Sequence, residues 1–190
     1  MLLPIILLLS SPIYAQKILR TEKVTDWSSH LIGDDFSGVV FAESYTNERV
    51  SLTPQNGKIY AIGSYTMFQD EIQKCKRFTP SEDDISATES ALQSQLKAFN
   101  KKLPKINLVG GPDVYKNLKK YSRQYFGFVN ERGEKIIFIN SIWNEILSKD
   151  ESELTTEFFQ VFDGGNRFWQ AKINITTHKL FNFCVNGAID

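Results

Sequence analysis

Histidine, cysteine and methionine each occur only twice in the 190 residues, and neither sign of charge predominates. The histidines, His30 and His178, and the cysteines, Cys75 and Cys184, are far apart and form no HExxH or CxxC pair. A zinc-like site draws three or four ligands from short, regular spacings, so no metal ligand is assigned. P-loop and GxSxG sequences are missing as well, and a Ser/His/Asp or Cys/His centre would need one of the two histidines beside a nucleophile. His178 and Cys184 flank a turn and are not expected within reach of each other. No catalytic residue and no cofactor is assigned. Lys plus Arg equals Asp plus Glu at 22 each, without the basic excess that neutralises phosphates, so no nucleic-acid partner is expected.

Long apolar runs are also lacking. Residues 2–9 form the one apolar stretch near the start, well short of the roughly 20 residues that span a bilayer. With Ser10, Ser11 and Pro12 and then Tyr14-Ala15, it reads as the core of a secretory signal peptide over 1–15, cleaved after Ala15. It departs from that pattern in having no Lys or Arg before the apolar run. The competing reading is a buried N-terminal strand. Export to the periplasm or medium is expected, with no stable membrane insertion after cleavage. An oxidising compartment permits a disulfide between Cys75 and Cys184; two separate buried thiols are the alternative.

Aromatic residues are plentiful, at 13% of the chain, and suit the core of a sheet. From Tyr121 onward, apolar and polar residues alternate in YSRQYFGFVN, KIIFINSIW and FFQVFDGGNRFWQAKINITTHKLFNFCVNG, with turn signals at Arg132-Gly133, Gly164-Gly165 and Thr177-His178-Lys179. This predicts an antiparallel meander. Before it, residues 79–102 carry Ile85, Leu92, Leu96 and Phe99 at helical spacing. Thr79 as N-cap, Pro80 in the first turn and Glu82 closing a capping box would start this helix. The fold expected is α+β: one long amphipathic helix packed on a four-stranded antiparallel meander, with N-terminal strands added. Residues 16–77 form those strands and a linker, and 78–190 the helix and sheet, together one compact domain. Within the first part, 36–45 reads as a strand, 48–53 and 58–66 as a hairpin around Pro54-Gln55-Asn56-Gly57, and 17–35 is undecided between extended chain and a short helix.

A three-residue loop at 177–179 would set Ile175 opposite Phe181 and Ile173 opposite Phe183. Trp169, Ala171, Ile173, Ile175, Phe181, Phe183 and Val185 would then face the helix, and Gln170, Lys172, Asn174, Asn182, Cys184 and Asn186 the other side. Trp143, near a strand end, is the better candidate for an exposed aromatic, and Trp169 belongs to the core. Asp34-Asp35 reads as a solvated loop and Asp163 as a turn former.

The helix-on-meander pattern resembles the cystatin-like and PepSY-like α+β folds, and the ending DGGNRFWQAKINITTHKLFNFCVNG is similar to the PepSY-type strand, Thr-rich turn and last strand. FTPSEDDISATESAL and YSRQYFGFVNERGEKIIFIN also resemble small exported bacterial proteins. The likeness covers about 78–187 and carries no active site. The QxVxG loop of true cystatins is missing. These features lead to an exported, non-catalytic module that binds a protein or peptide, restraint of a partner enzyme being one form of this, through the polar sheet face or an edge. The alternative is a hydrolase of envelope polymers with a carboxylate pair distant in sequence. No ligand-binding residue is assigned from the sequence.

Overall fold

The computed structural model describes residues 16–45, 54–55, 58–59, 76–101, 111–147, 152–159, 161 and 164–186. The fold is α+β, one helix against a mostly antiparallel sheet. Strands β1 (Ile18–Lys23), β2 (Ser28–Gly33) and β3 (Ser37–Phe41) come first, then the two-residue strands β4 (Pro54–Gln55) and β5 (Lys58–Ile59), and β6 (Lys76–Phe78). Helix α1 (Glu82–Asn100) leads through a 3-10 turn at Tyr115–Lys120 to β7 (Tyr121–Val129) and β8 (Lys135–Trp143). The short helix α2 (Ser152–Thr156) precedes β9 (Phe168–Asn174) and β10 (Lys179–Val185).

Strands β7 to β10 form the expected meander, extended by β3, β2 and β1 in the order β1-β2-β3-β7-β8-β9-β10. β3 runs parallel to β7, from Ser37 opposite Ser122 to Phe41 opposite Phe126. β6 takes up the rest of the same β7 edge, antiparallel, with Phe78 opposite Gly127. Gly127 is required there, because a Cβ would lie 2.5 Å from the Phe78 carbonyl oxygen. The undecided segment 17–35 is thus a hairpin, and β6 spans the boundary placed at residue 77. Gln55 pairs with Lys58, so the first-third hairpin closes more tightly than the four-residue loop expected. Its arms at 48–53 and 60–66 lie outside the described residues.

Helix α1 starts two residues later than expected. Ser81 is the N-cap, its hydroxyl accepting from the Asp84 N–H at 3.2 Å while the Asp84 carboxylate accepts from the Ser81 N–H at 3.0 Å. This is a reciprocal capping box. The Thr79 hydroxyl is engaged elsewhere, accepting from the Glu43 N–H, and Glu82 accepts from the Thr21 hydroxyl of β1. The stripe of Ile85, Leu92 and Leu96, each fully buried, meets Ile137, Ile139, Trp169, Ala171 and Ile173 of the sheet.

The β9–β10 register also differs. Asn174 pairs with Lys179, Leu180 with Ile173 and Phe181 with Lys172, then the register shifts before Cys184 meets Gln170. Leu180, not Phe181, therefore lies in the helix-facing core. Asn182, at φ 50°, takes up one extra residue as a bulge, which returns Phe183 and Val185 to the helix face. Phe158 and Phe159, read within the strand run, lie outside any strand. Trp143 is buried, 6% exposed, against the ring of Tyr121 at 5.0 Å between centroids, contrary to its expected exposure.

The opposite sheet face has a second apolar cluster, with Phe41, Phe126, Phe138 and Phe168 from the strands and Leu154 and Phe158 from the segment over it. Arg77 locks this side. Its guanidinium donates to the carbonyls of Gly127, Tyr45 and Ala42 and stands over the Phe126 and Phe128 rings. Burial lowers its pKa to about 10.

Candidate functional site

Much of the polar sheet face expected to meet a partner is buried, at Gln170, Lys172 and Asn174. Gln124, Asn140, Gln170 and Cys184 stand opposite one another across four adjacent strands. Asn140 donates to the Gln124 carbonyl at 2.9 Å and Gln170 to Asn140 at 3.2 Å. This ladder binds the chain's own segment at 154–159. Gln124 donates to the carbonyls of Leu154 and Glu157 and accepts from the Phe159 N–H, while Asn140 donates to the Phe159 carbonyl. An irregular segment can be buried only when its backbone groups find partners, and the side-chain amides supply them. Lys172 and Asn174 are likewise buried, at 3% and 7% exposure. Polar identity therefore marked the seat of an internal segment, which is why alternation alone read this face as one that meets a partner.

A second polar group lies between helix and sheet. The Tyr125 hydroxyl donates to Glu89 at 2.9 Å, and the Arg123 guanidinium lies 3.6 Å from the same carboxylate oxygen. Arg123 also donates to the Leu118 carbonyl. All three side chains are at most 1% exposed. Burial pushes the Glu89 carboxyl up, with Arg123 pulling it part of the way back. The lining of the cleft described next does not include these three residues.

That cleft, of about 390 Å³, lies between the first hairpin and the start of α1, within the size of small-ligand sites. Leu31, Val40, Ala42 and Pro80 supply its apolar surface. Thr21, Lys23, Asp26, Trp27, Ser28 and Glu82 are among its other lining residues. The hairpin loop is held by its own bonds: Val24 and Thr25 N–H groups donate to the Ser28 carbonyl, and the Thr25 and Ser28 hydroxyls are 2.8 Å apart. The Ala42 N–H donates to the Trp27 carbonyl at 2.8 Å. Trp27 is thereby fixed to the β3 end while its side chain stays 40% exposed. Leu19 and Val24, on or next to the same hairpin, are also exposed. Lys23 bonds Asp26 at 2.7 Å, which holds the Asp26 carboxyl below its usual range. Among the described residues no strand pairs with the outer edge of β1.

The remaining sequence candidates are dispersed. His30 is in β2, and His178 in the β9–β10 turn at φ 53°. Asp35 pairs with Lys119 at 2.5 Å. Asp163 and Cys75 lie outside the described residues, and with Cys75 the expected disulfide to Cys184. Burial pushes the Cys184 thiol up to about 11. Among the described residues no three His, Cys, Asp or Glu side chains are grouped as a metal would require, and no helix is long and apolar enough to cross a membrane. Trp27 falls in the stretch 17–35 whose structure the sequence leaves undecided, and exposure of a lone Trp leaves no periodic signal in sequence. No protein-family model, curated protein or solved structure matches the chain.

Proposed function

We propose that this protein is an exported, non-catalytic module that binds an extended segment of a partner protein in the cleft beside Trp27. The observation that carries the reading is an exposed Trp27 indole, on a main chain bonded to the end of β3, lining a cleft with an apolar surface next to an edge strand. Tryptophan anchors in preformed pockets commonly supply much of an interface's energy. An edge strand offers main-chain groups to a peptide, and holding Trp27 from Ala42 reduces the ordering cost of binding. Restraint of a partner enzyme is one outcome of such binding. The helix over a four-stranded meander supports a cystatin-like or PepSY-like relationship, with three N-terminal strands and β6 added. The alternative, a hydrolase, needs a carboxyl kept protonated near substrate. In the cleft, Lys23 favours the ionised form of Asp26, and among the described residues the carboxyl that burial pushes up, Glu89, is in the core.

The test is to pan a random-peptide display library on the protein and titrate enriched peptides against wild type and Trp27→Ala. Binding weakened at least about tenfold in Trp27→Ala, as for a truncated anchor worth more than 1 kcal/mol, supports the cleft. Peptides that bind both chains equally would exclude it.

A further inference from the structure

Gln16, the residue that follows the expected cleavage point, is built into α1. Its N–H donates to the Ser90 hydroxyl at 3.1 Å, and its carbonyl accepts from the Ser86 hydroxyl at 2.5 Å. Its side-chain amide donates to the Gln93 carbonyl at 3.0 Å. The residue is 8% exposed, and its Oε1 is buried with no protein partner. These three partners on successive turns of one helix are all neutral. If cleavage after Ala15 left a free α-ammonium here, the charge would stand among these neutral partners, with one serine hydroxyl as its hydrogen-bond acceptor. Burying a charge without a counter-charge is strongly unfavourable.

We infer that Gln16 becomes a pyroglutamyl residue in the exported chain, and that Ser86, Ser90 and Gln93 form the slot that receives this neutral terminus. The α-nitrogen attacks Cδ of the side-chain amide, the N–Cδ bond forms, the Cδ–Nε2 bond breaks, and ammonia leaves. No oxidant or other reactant is consumed. The ring keeps one N–H for Ser90 and the main-chain carbonyl for Ser86. The former Oε1 becomes the lactam oxygen, which the Gln93 amide can meet by turning its NH₂ toward it. The uncyclised terminus offers the same slot a cation instead.

This rests on the export reading, and the experiment separates the two. The full-length chain is expressed in a secreting host, and its intact mass is measured after purification from the exported fraction. The mass expected is that of residues 16–190 less one ammonia. A chain starting elsewhere, or still carrying Met1, overturns the export reading and this inference with it. A chain starting at an uncyclised Gln16 overturns the inference alone. The slot is read separately by thermal unfolding of wild type, Gln16→Asn, Ser90→Ala and the double variant. Asn cannot form the ring, so Gln16→Asn should lower Tm by a few degrees, and much less in the Ser90→Ala background. Additive effects of the two substitutions would show that the slot does not receive the ring.

Discussion

Tyr125 donates its hydroxyl hydrogen to Glu89 across the boundary between β7 and α1, at 2.9 Å, with both side chains shut off from solvent. The bond ties the helix to the central strand at the point where Arg123 also approaches the carboxylate. Desolvation, the largest influence on Glu89, favours its protonated form. An acid whose folded pKa lies above its unfolded value binds more protons when folded. Its contribution to stability is fully present below the ordinary glutamate range and is lost as pH rises through the raised folded pKa. Glu89→Gln removes that component. Urea unfolding across a pH series should therefore show wild-type stability declining relative to Glu89→Gln as pH rises above the glutamate range. Parallel pH profiles would contradict the raised pKa.

Leu92 is fully buried where α1 meets the sheet. Leu92→Ala should lose about 2–5 kcal/mol in denaturant unfolding, the range for a leucine removed from a close-packed core. A change within about 0.5 kcal/mol, typical of surface positions, would mean that the helix does not bury this stripe.

The amide ladder predicts a local effect. Gln124→Ala leaves the carbonyls of Leu154 and Glu157 and the N–H of Phe159 without this partner, a loss of about 1–3 kcal/mol for each buried group left unsatisfied. Limited proteolysis should cut within 152–159 faster in this variant than in Leu92→Ala chains of similar overall stability. Equal rates would mean that the ladder does not hold the segment.

Cys184 should react slowly when folded. With its thiol pushed up to about 11 by burial, the thiolate at pH 8 is on the order of a hundredfold scarcer than for an unperturbed cysteine. In a Cys75→Ser chain, alkylation at pH 8 should be slow in buffer and fast in denaturant. Fast native alkylation contradicts the burial. Thiol titration of denatured, unreduced wild type settles the pairing with Cys75: two thiols per chain leave no bond, and none means that it forms.

Much of the meander and the helix was legible because their signals are local. Tyr121 to Val129 alternates across a two-sided sheet, and Ile85, Leu92 and Leu96 recur at helical spacing. The parallel pairing of β3 with β7 joins residues more than eighty positions apart and leaves no local trace. The helix start was displaced because two hydroxyls competed for one role: Thr79 bonds Glu43, leaving Ser81 to cap. The bulge at Asn182 was hidden for a similar reason, since Asn enters the left-handed region at small cost and one inserted residue inverts the facing of those before it. As for the site, Gln170, Lys172 and Asn174 read as a polar binding face because polar side chains that are buried in the fold have the same composition as those that meet water.

The binding cleft is tested most directly by amide hydrogen exchange with and without a saturating peptide selected on the folded protein. Slowed exchange should concentrate at 21–29, in the first hairpin, and around 79–82, at the entry to α1, and should disappear in Trp27→Ala. Protection centred instead on 154–159 or on β10, with the hairpin unchanged, would contradict the account by placing the partner on the other side of the sheet.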